Sequence, residues 1–167
     1  MEIVPLSKET LAQAIGLTLK VFRESKPGDF DYPPKWLKFS IENYGNEHGY
    51  GYSLGYWVAV ENKKVIGITG LYTMPEDEKE ANWVAWFCVE PDYRGKGLGS
   101  RLLDLMIEKS KKAGKKFLRL YTSDGEIEKE ARELYKKSGF VTTKTKKIEG
   151  ENETKIYMEL KLNSGNE

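Results

Sequence analysis

A chain of 167 residues with 39% hydrophobic and 32% charged side chains has the size and composition of one globular domain with a proper core, which excludes intrinsic disorder. Its 27 basic and 26 acidic residues leave a formal charge of +1, too little to neutralise a long run of phosphates, so a nucleic-acid partner is not expected. The single cysteine and single histidine, Cys88 and His48, exclude an internal disulfide and cannot build a structural zinc site by themselves; no metal and a reducing, cytoplasmic setting are expected.

The opening "MEIVPLSKETLAQ" has no basic flank followed by an apolar core, so no secretory signal is expected. No run approaches the ~18 apolar residues that span a bilayer, so a membrane partner is not expected either. "EIVPL" reads as a short strand. Ser7 then caps a helix that carries Leu11, Ile15, Leu19 and Phe22 near one face. "SKPGDFDYPP" (Ser25 to Pro34) reads as a loop, "KWLKFSIENY" as a second short helix and "HGYGYSLG" as a glycine-rich connection. "YWVAVE" and "KVIGITGLY" read as strands joined by a hairpin turn at Asn62-Lys63.

"MPEDEKEAN" (Met74 to Asn82) is a polar loop. "WVAWFCV" (Trp83 to Val89) is apolar on both faces, which predicts a central buried strand. A helix follows from about Gly97 to Ala113, stopped by Gly114. Next come a strand "KFLRLYT", a helix "EIEKEARELYKKS" stopped by Gly139, and a closing strand pair, "FVTTKTKKIE" with "TKIYMELKL". Alternation of strands and helices in the second half gives α/β or mixed α+β.

The segment "RGKGLGS" (Arg94 to Ser100) sets glycines immediately before a helix. Helix N-termini carry unpaired N–H groups and a partial positive charge. Glycines let the backbone approach a phosphate closely, and Arg94 and Lys96 add charge. The residues therefore suggest a phosphate or pyrophosphate cradle. The spacing lacks the G-x-x-x-x-G-K-[ST] of a Walker loop, and it is neither G-x-G-x-x-G nor set in a dinucleotide-binding unit.

The segment resembles the Q/R-x-x-G-x-G/A signature of the GCN5-related N-acetyltransferases (GNAT), with Arg94, Gly97 and Gly99 at its fixed places after "VEP". "ARELYKKSGF" (Ala131 to Phe140) resembles the family's later A-x-x-L-Y-x-x-x-G-F helix, with one strand between the two motifs. The likeness runs from about Val65 to Leu160. It implies one GNAT-like domain over 1–162, with acceptor-side helices and loops in 1–57, a cofactor-binding core in 58–162, and a loose tail at 163–167. A strongly twisted, mixed central sheet flanked by helices is the implied fold.

The resemblance also implies roles. Phe87, Cys88 and Val89 would lie against the pantetheine arm of acetyl-CoA, with a backbone N–H polarising the thioester carbonyl. Arg94, Gly95, Lys96, Gly97, Leu98, Gly99 and Ser100 would hold the pyrophosphate, Lys96 having a solvated role as its alternative. Tyr135 would be the catalytic acid that protonates the departing thiolate. Cys88 itself reads as a small buried hydrophobe rather than a nucleophile. The family's strand carboxylate is absent from "NWVAWFCV", which leaves water, Glu47, His48, Asp124 or a backbone carbonyl to take the amine's proton. No Asn follows the next strand in "YTSDGEIEKE", so that cofactor contact is not carried over.

Nine of the twenty aromatic residues fall between Phe30 and Trp57, interleaved with Asp29, Asp31, Glu42 and Glu47. These could receive a cationic amine or simply pack the helices. A small-molecule amine is the expected acceptor. A peptide amine, and a non-catalytic acyl-CoA sensor, are the alternatives. The lysine clusters at 109–116 and 144–147 read as solvated faces. A homodimer is compatible with the resemblance.

Overall fold

The structure, a computed structural model, describes residues 1–22, 32–42, 53–147, 150 and 152–162. The chain opens with β1 (Glu2–Pro5) and α1 (Lys8–Phe22), followed by α2 (Tyr32–Glu42). Three strands come next: β2 (Ser53–Glu61), β3 (Lys64–Tyr72) and β4 (Ala81–Val89). After these lie α3 (Leu98–Lys112), β5 (Phe117–Ser123), α4 (Lys129–Lys137), β6 (Val141–Lys147) and β7 (Thr154–Lys161). One seven-stranded sheet runs in the order β1-β2-β3-β4-β5-β7-β6, so β4 is the central strand. Among the described residues only β4 and β5 are parallel; every other pair is antiparallel. The mixed α+β class and the central buried strand are both as the sequence predicts.

Local chemistry explains most element ends. Ser7 precedes α1, its N–H donating to Thr10 Oγ1 at 3.0 Å while its carbonyl accepts from the Thr10 N–H at 3.2 Å, which ties the first turn. Asn62 and Lys63 take φ of 49° and 63°, the paired left-handed residues of a type I′ hairpin, and Glu61 faces Lys64 across it. Gly114 and Gly139, at φ of 70° and 93°, end α3 and α4 in the left-handed conformation that terminates helices.

Several boundaries differ from the sequence reading. Tyr32, Pro33 and Pro34 open α2 instead of closing a loop, because proline is tolerated in a first turn whose N–H groups lack partners anyway. Ser53–Gly55 start β2, and Ala81 and Asn82 start β4. The stretch before α4 is a 3₁₀ turn, Glu126–Glu128, rather than its first turn. In α1 Ala14, Leu17 and Thr18 are buried, and Leu11, Ile15 and Phe22 of the expected apolar line pack partly buried against the same core. Ser25–Asp31, Asn43–Tyr52 and the tail 163–167 lie outside the described residues, and with them Glu47 and His48.

The sheet divides two cores. On one face α1 and α2 pack through Ala14, Leu17 and Leu37 onto Tyr56, Val58, Val65 and Ile68. On the other, Leu103 and Met106 of α3 and Tyr135 of α4 pack onto Leu71, Val84, Leu118, Leu120 and Met158. At about 25 cal/mol per Å² of apolar surface, a buried leucine contributes roughly 2 kcal/mol, so each core supplies much of the gross stabilisation.

Candidate active site

The two central strands part soon after they meet. β4 and β5 pair over only three rows, Ala81↔Phe117, Asn82↔Leu118 and Trp83↔Arg119. Beyond Trp83, β4 keeps its β3 partners, while β5 keeps β7 as far as Ser123↔Lys155. The two strands therefore diverge as a V, with no β4–β5 pairing past the third row.

The closed end of the V is pinned. Arg119 contacts the carboxylates of Asp77, Glu80 and Glu159, at 3.2 Å to Glu80 and 2.7 Å to Glu159. Asp77 in turn accepts from the Trp83 indole N–H at 3.0 Å.

β4 carries a bulge within the open part. Ile68 faces Cys88 and Gly70 faces Ala85, so Trp86 and Phe87 together oppose Thr69, and Trp86 is held at φ 38°. A non-glycine residue there is strained, and the bulge turns successive side chains to new directions. Trp86 meets Phe22 of α1 edge-on at 5.4 Å, whereas Phe87 meets Tyr135 of α4 at 5.7 Å. The Glu90 N–H donates to Ile66 O of β3 at 2.9 Å. Successive N–H groups of a strand point to opposite sides, so that of Val89 is directed away from β3, toward the V.

Cys88 is 5% exposed, and burial pushes its thiol up to about 12. It is a protonated core residue at neutral pH, as the sequence reading has it.

The glycine loop joins the end of β4 to α3. Gly95 and Gly97 take φ of 71° and 80°, and a Cβ at either would meet nothing within 4 Å. The backbone is thus bare on the solvent side. Gly99 differs: it is helical, and a Cβ there would approach Leu134 Cδ2 to 3.1 Å, so its smallness lets α3 and α4 approach. Arg94 Nε donates to Val89 O at 3.1 Å and fastens the loop to the strand end, with Glu130 3.7 Å from Nη1. Lys96 is exposed, donating to Asp92 O and lying 5.2 Å over the Tyr93 ring. The Leu98 side chain is buried in the core, and Ser100 is exposed in the first turn of α3.

Tyr135 is 5% exposed, its ring meeting those of Phe87 and Phe140 at a tilt, 5.7 and 5.8 Å away. Burial, with smaller contributions from Glu128 and Cys88, pushes its phenol well above the ordinary value, so it stays protonated. Asp124, by contrast, is an exposed brace: its carboxylate accepts from the Thr154 N–H at 2.7 Å and is lowered by that bond.

Two features escape a linear reading. Thr122, on the diverging part of β5 and 4% exposed, buries a hydroxyl with no hydrogen-bond partner; such an orphan is costly. The turn after β5 is locked by Glu128, which accepts from the Ser123 N–H, and by Arg132, which donates to Ser123 O and Gly125 O.

Residues 18–140, most of the chain, match the model of the acetyltransferase (GNAT) family. The chain belongs to the GNAT acetyltransferase family. It is 32% identical over 89 residues to an uncharacterized N-acetyltransferase of Methanocaldococcus jannaschii, a stretch that is 52% of this chain and 38% of that protein. The chain therefore spans well under half of that relative. A Salmonella typhimurium acetyltransferase, solved with acetyl-CoA, superposes at TM-score 0.72 with 20% identity, over 100% of this chain and 96% of that one. The Escherichia coli ribosomal-protein-S18-alanine N-acetyltransferase superposes at 0.70 with 20% identity, over 99% and 96%.

The GNAT co-substrate is acetyl-CoA, and the geometry fits it. The splay offers diverging strand edges for an amide-bearing arm, Thr122 offers a hydroxyl with no hydrogen-bond partner among the described residues, and Gly95 and Gly97 leave room over bare backbone. Among the described residues no cluster of metal-ligating side chains occurs, and no helix is long and apolar enough to cross a membrane.

Proposed function

We propose that this GNAT protein transfers an acetyl group from acetyl-CoA to the primary amine of a small molecule, by direct attack on the thioester. The observation that carries the reading is the three-row β4–β5 pairing that opens beside a positive-φ glycine loop. Acetyl-CoA supplies an activated acyl carbon and a thiol leaving group.

The chain's own residues do the rest. Backbone N–H groups of Arg94 to Ser100 at the start of α3 receive the pyrophosphate, aided by the helix dipole. The inner edge of β4 from Phe87 to Val89 orients the pantetheine arm. The Val89 N–H, directed away from β3, stabilises negative charge growing on the carbonyl oxygen. Tyr135, protonated through the neutral range, donates its phenolic proton to the departing sulfur. Cys88 stays a protonated thiol, so no covalent acyl-cysteine forms.

Calorimetric titration with acetyl-CoA tests the reading. Wild type should bind, and Gly97→Glu, which meets no atom within 4 Å but sets a carboxylate at φ 80°, should fold and fail to bind. A folded wild type that does not bind acetyl-CoA overturns the proposal.

A further inference from the structure

Four aromatic rings from four strands meet on the sheet face opposite α3 and α4. Tyr72 and Trp83 lie 6.2 Å apart, Trp83 and Tyr157 6.5 Å, and Tyr121 and Tyr157 6.0 Å. Strand alternation sets the face: Leu118 and Leu120 enter the core under α3, so Arg119 and Tyr121 point the other way. Trp83 belongs to the last paired row of β4 and β5. Tyr121 stands two residues beyond Arg119, on the diverging stretch of β5, and is 47% exposed. The cluster thus lies at the closed end of the V, where β4 and β5 begin to part, on the side away from Tyr135.

The rings are braced rather than loose. The Trp83 N–H is fixed on Asp77, and Arg119 fixes Asp77 and Glu159. The phenol of Tyr72 is pushed up by burial and, after that, by Tyr121.

This surface already holds a primary ammonium. Lys155 Nζ lies 3.6 Å from the Tyr121 centroid and 5.3 Å from that of Tyr157, with Lys144 Nζ 5.8 Å from Tyr157. Ring faces attract cations through their quadrupoles, and a lysine tip is an ammonium on an unbranched alkyl chain.

Resting on the transferase reading above, we infer that this ring cluster is the acceptor seat. Its acceptor is a primary ammonium ending an unbranched alkyl chain, and Lys155 is the internal stand-in that the acceptor displaces. The balance is simple. The seated ammonium releases one proton to solvent before attack and a second as the amide forms; its nitrogen bonds to the acyl carbon, the carbon–sulfur bond breaks, and the thiolate takes the proton from Tyr135, so one proton is released net once the phenol is restored. The phenol is then reprotonated from solvent.

Calorimetry on CoA-saturated protein tests the seat without turnover, using n-pentylamine, N-α-acetyl-lysine amide and alaninamide as probes. The first two should bind and alaninamide should not. Tighter binding of n-pentylamine assigns the seat to a free amine; tighter binding of the lysine amide assigns it to a protein side chain. Lys155→Ala should tighten binding several-fold by vacating the seat. Tyr121→Ala should weaken it about tenfold, the scale of one cation–π contact, while Tyr121→Phe keeps the ring and stays near wild type.

Alaninamide binding as tightly as n-pentylamine overturns the seat, as does a Lys155→Ala variant that binds no more tightly. Acetyl-CoA titration of the same variants separates the two levels. Retained donor binding with these amine results removes only the seat, whereas lost wild-type donor binding removes the transferase reading beneath it.

Discussion

Tyr135→Phe deletes one oxygen from the centre of the proposed mechanism and little else. Both ring contacts, to Phe87 and Phe140 at 5.7 and 5.8 Å, survive the change. The ring and nearly all of its volume are kept, so the variant should melt within about 3 °C of wild type, the shift that ~1 kcal/mol produces at this size.

The rate should respond far more. A positioned general acid contributes roughly 100- to 10,000-fold, so kcat should fall into that range while acetyl-CoA affinity holds. The assay is thiol release from acetyl-CoA with a saturating amine, paired with calorimetric donor binding.

The pH profile sharpens the test. Burial raises the Tyr135 phenol above its ordinary ~10, so the acid stays loaded and gives wild type no alkaline decline between pH 7 and 10. Above pH ~8.5 a departing alkyl thiolate needs its proton less, so the defect of the Phe variant should narrow there. An undiminished rate in Tyr135→Phe at pH 7 would refute the assignment.

Two further outcomes follow from the buried polar groups. Thr122→Val removes the orphan hydroxyl at nearly constant volume. The melting temperature should hold or rise, by up to ~1 kcal/mol of stability, while acetyl-CoA affinity drops about fivefold; an unchanged affinity would detach Thr122 from the donor. Cys88 has its thiol raised from 9.0 to about 12, so its contribution is full below pH 9 and is lost as pH climbs toward 12, because the unfolded chain ionises first. By pH 10 that costs about 1 kcal/mol, and the loss of melting temperature between pH 8 and 10 should be smaller in Cys88→Ala than in wild type.

The sequence alone reached those parts of the protein where chemistry is local. Asn62-Lys63, a polar pair led by an Asn between two apolar runs, pointed to a hairpin, and it is there. "RGKGLG" announced a helix start with bare backbone, and "WVAWFCV" a strand covered on both faces, because apolar residues without alternation have no solvent side. The family followed from two ordered motifs, and with it the expectation for Tyr135.

Other features required the fold. The V exists because β5 turns toward β7 after three rows, a choice made by partners some forty residues away. Gly99 and Gly97 look alike in sequence, yet one accommodates Leu134 and the other takes a left-handed turn. The aromatic stretch from Phe30 to Trp57 drew attention by its density. Among the described residues, the rings that meet at the closed end of the V come from Tyr72, Trp83, Tyr121 and Tyr157, single residues on four strands. Periodicity tells which residues share a face of one strand. Which strands lie side by side is decided only by tertiary packing, since hydrogen-bonded neighbours here are as far apart in sequence as Phe117 and Lys161.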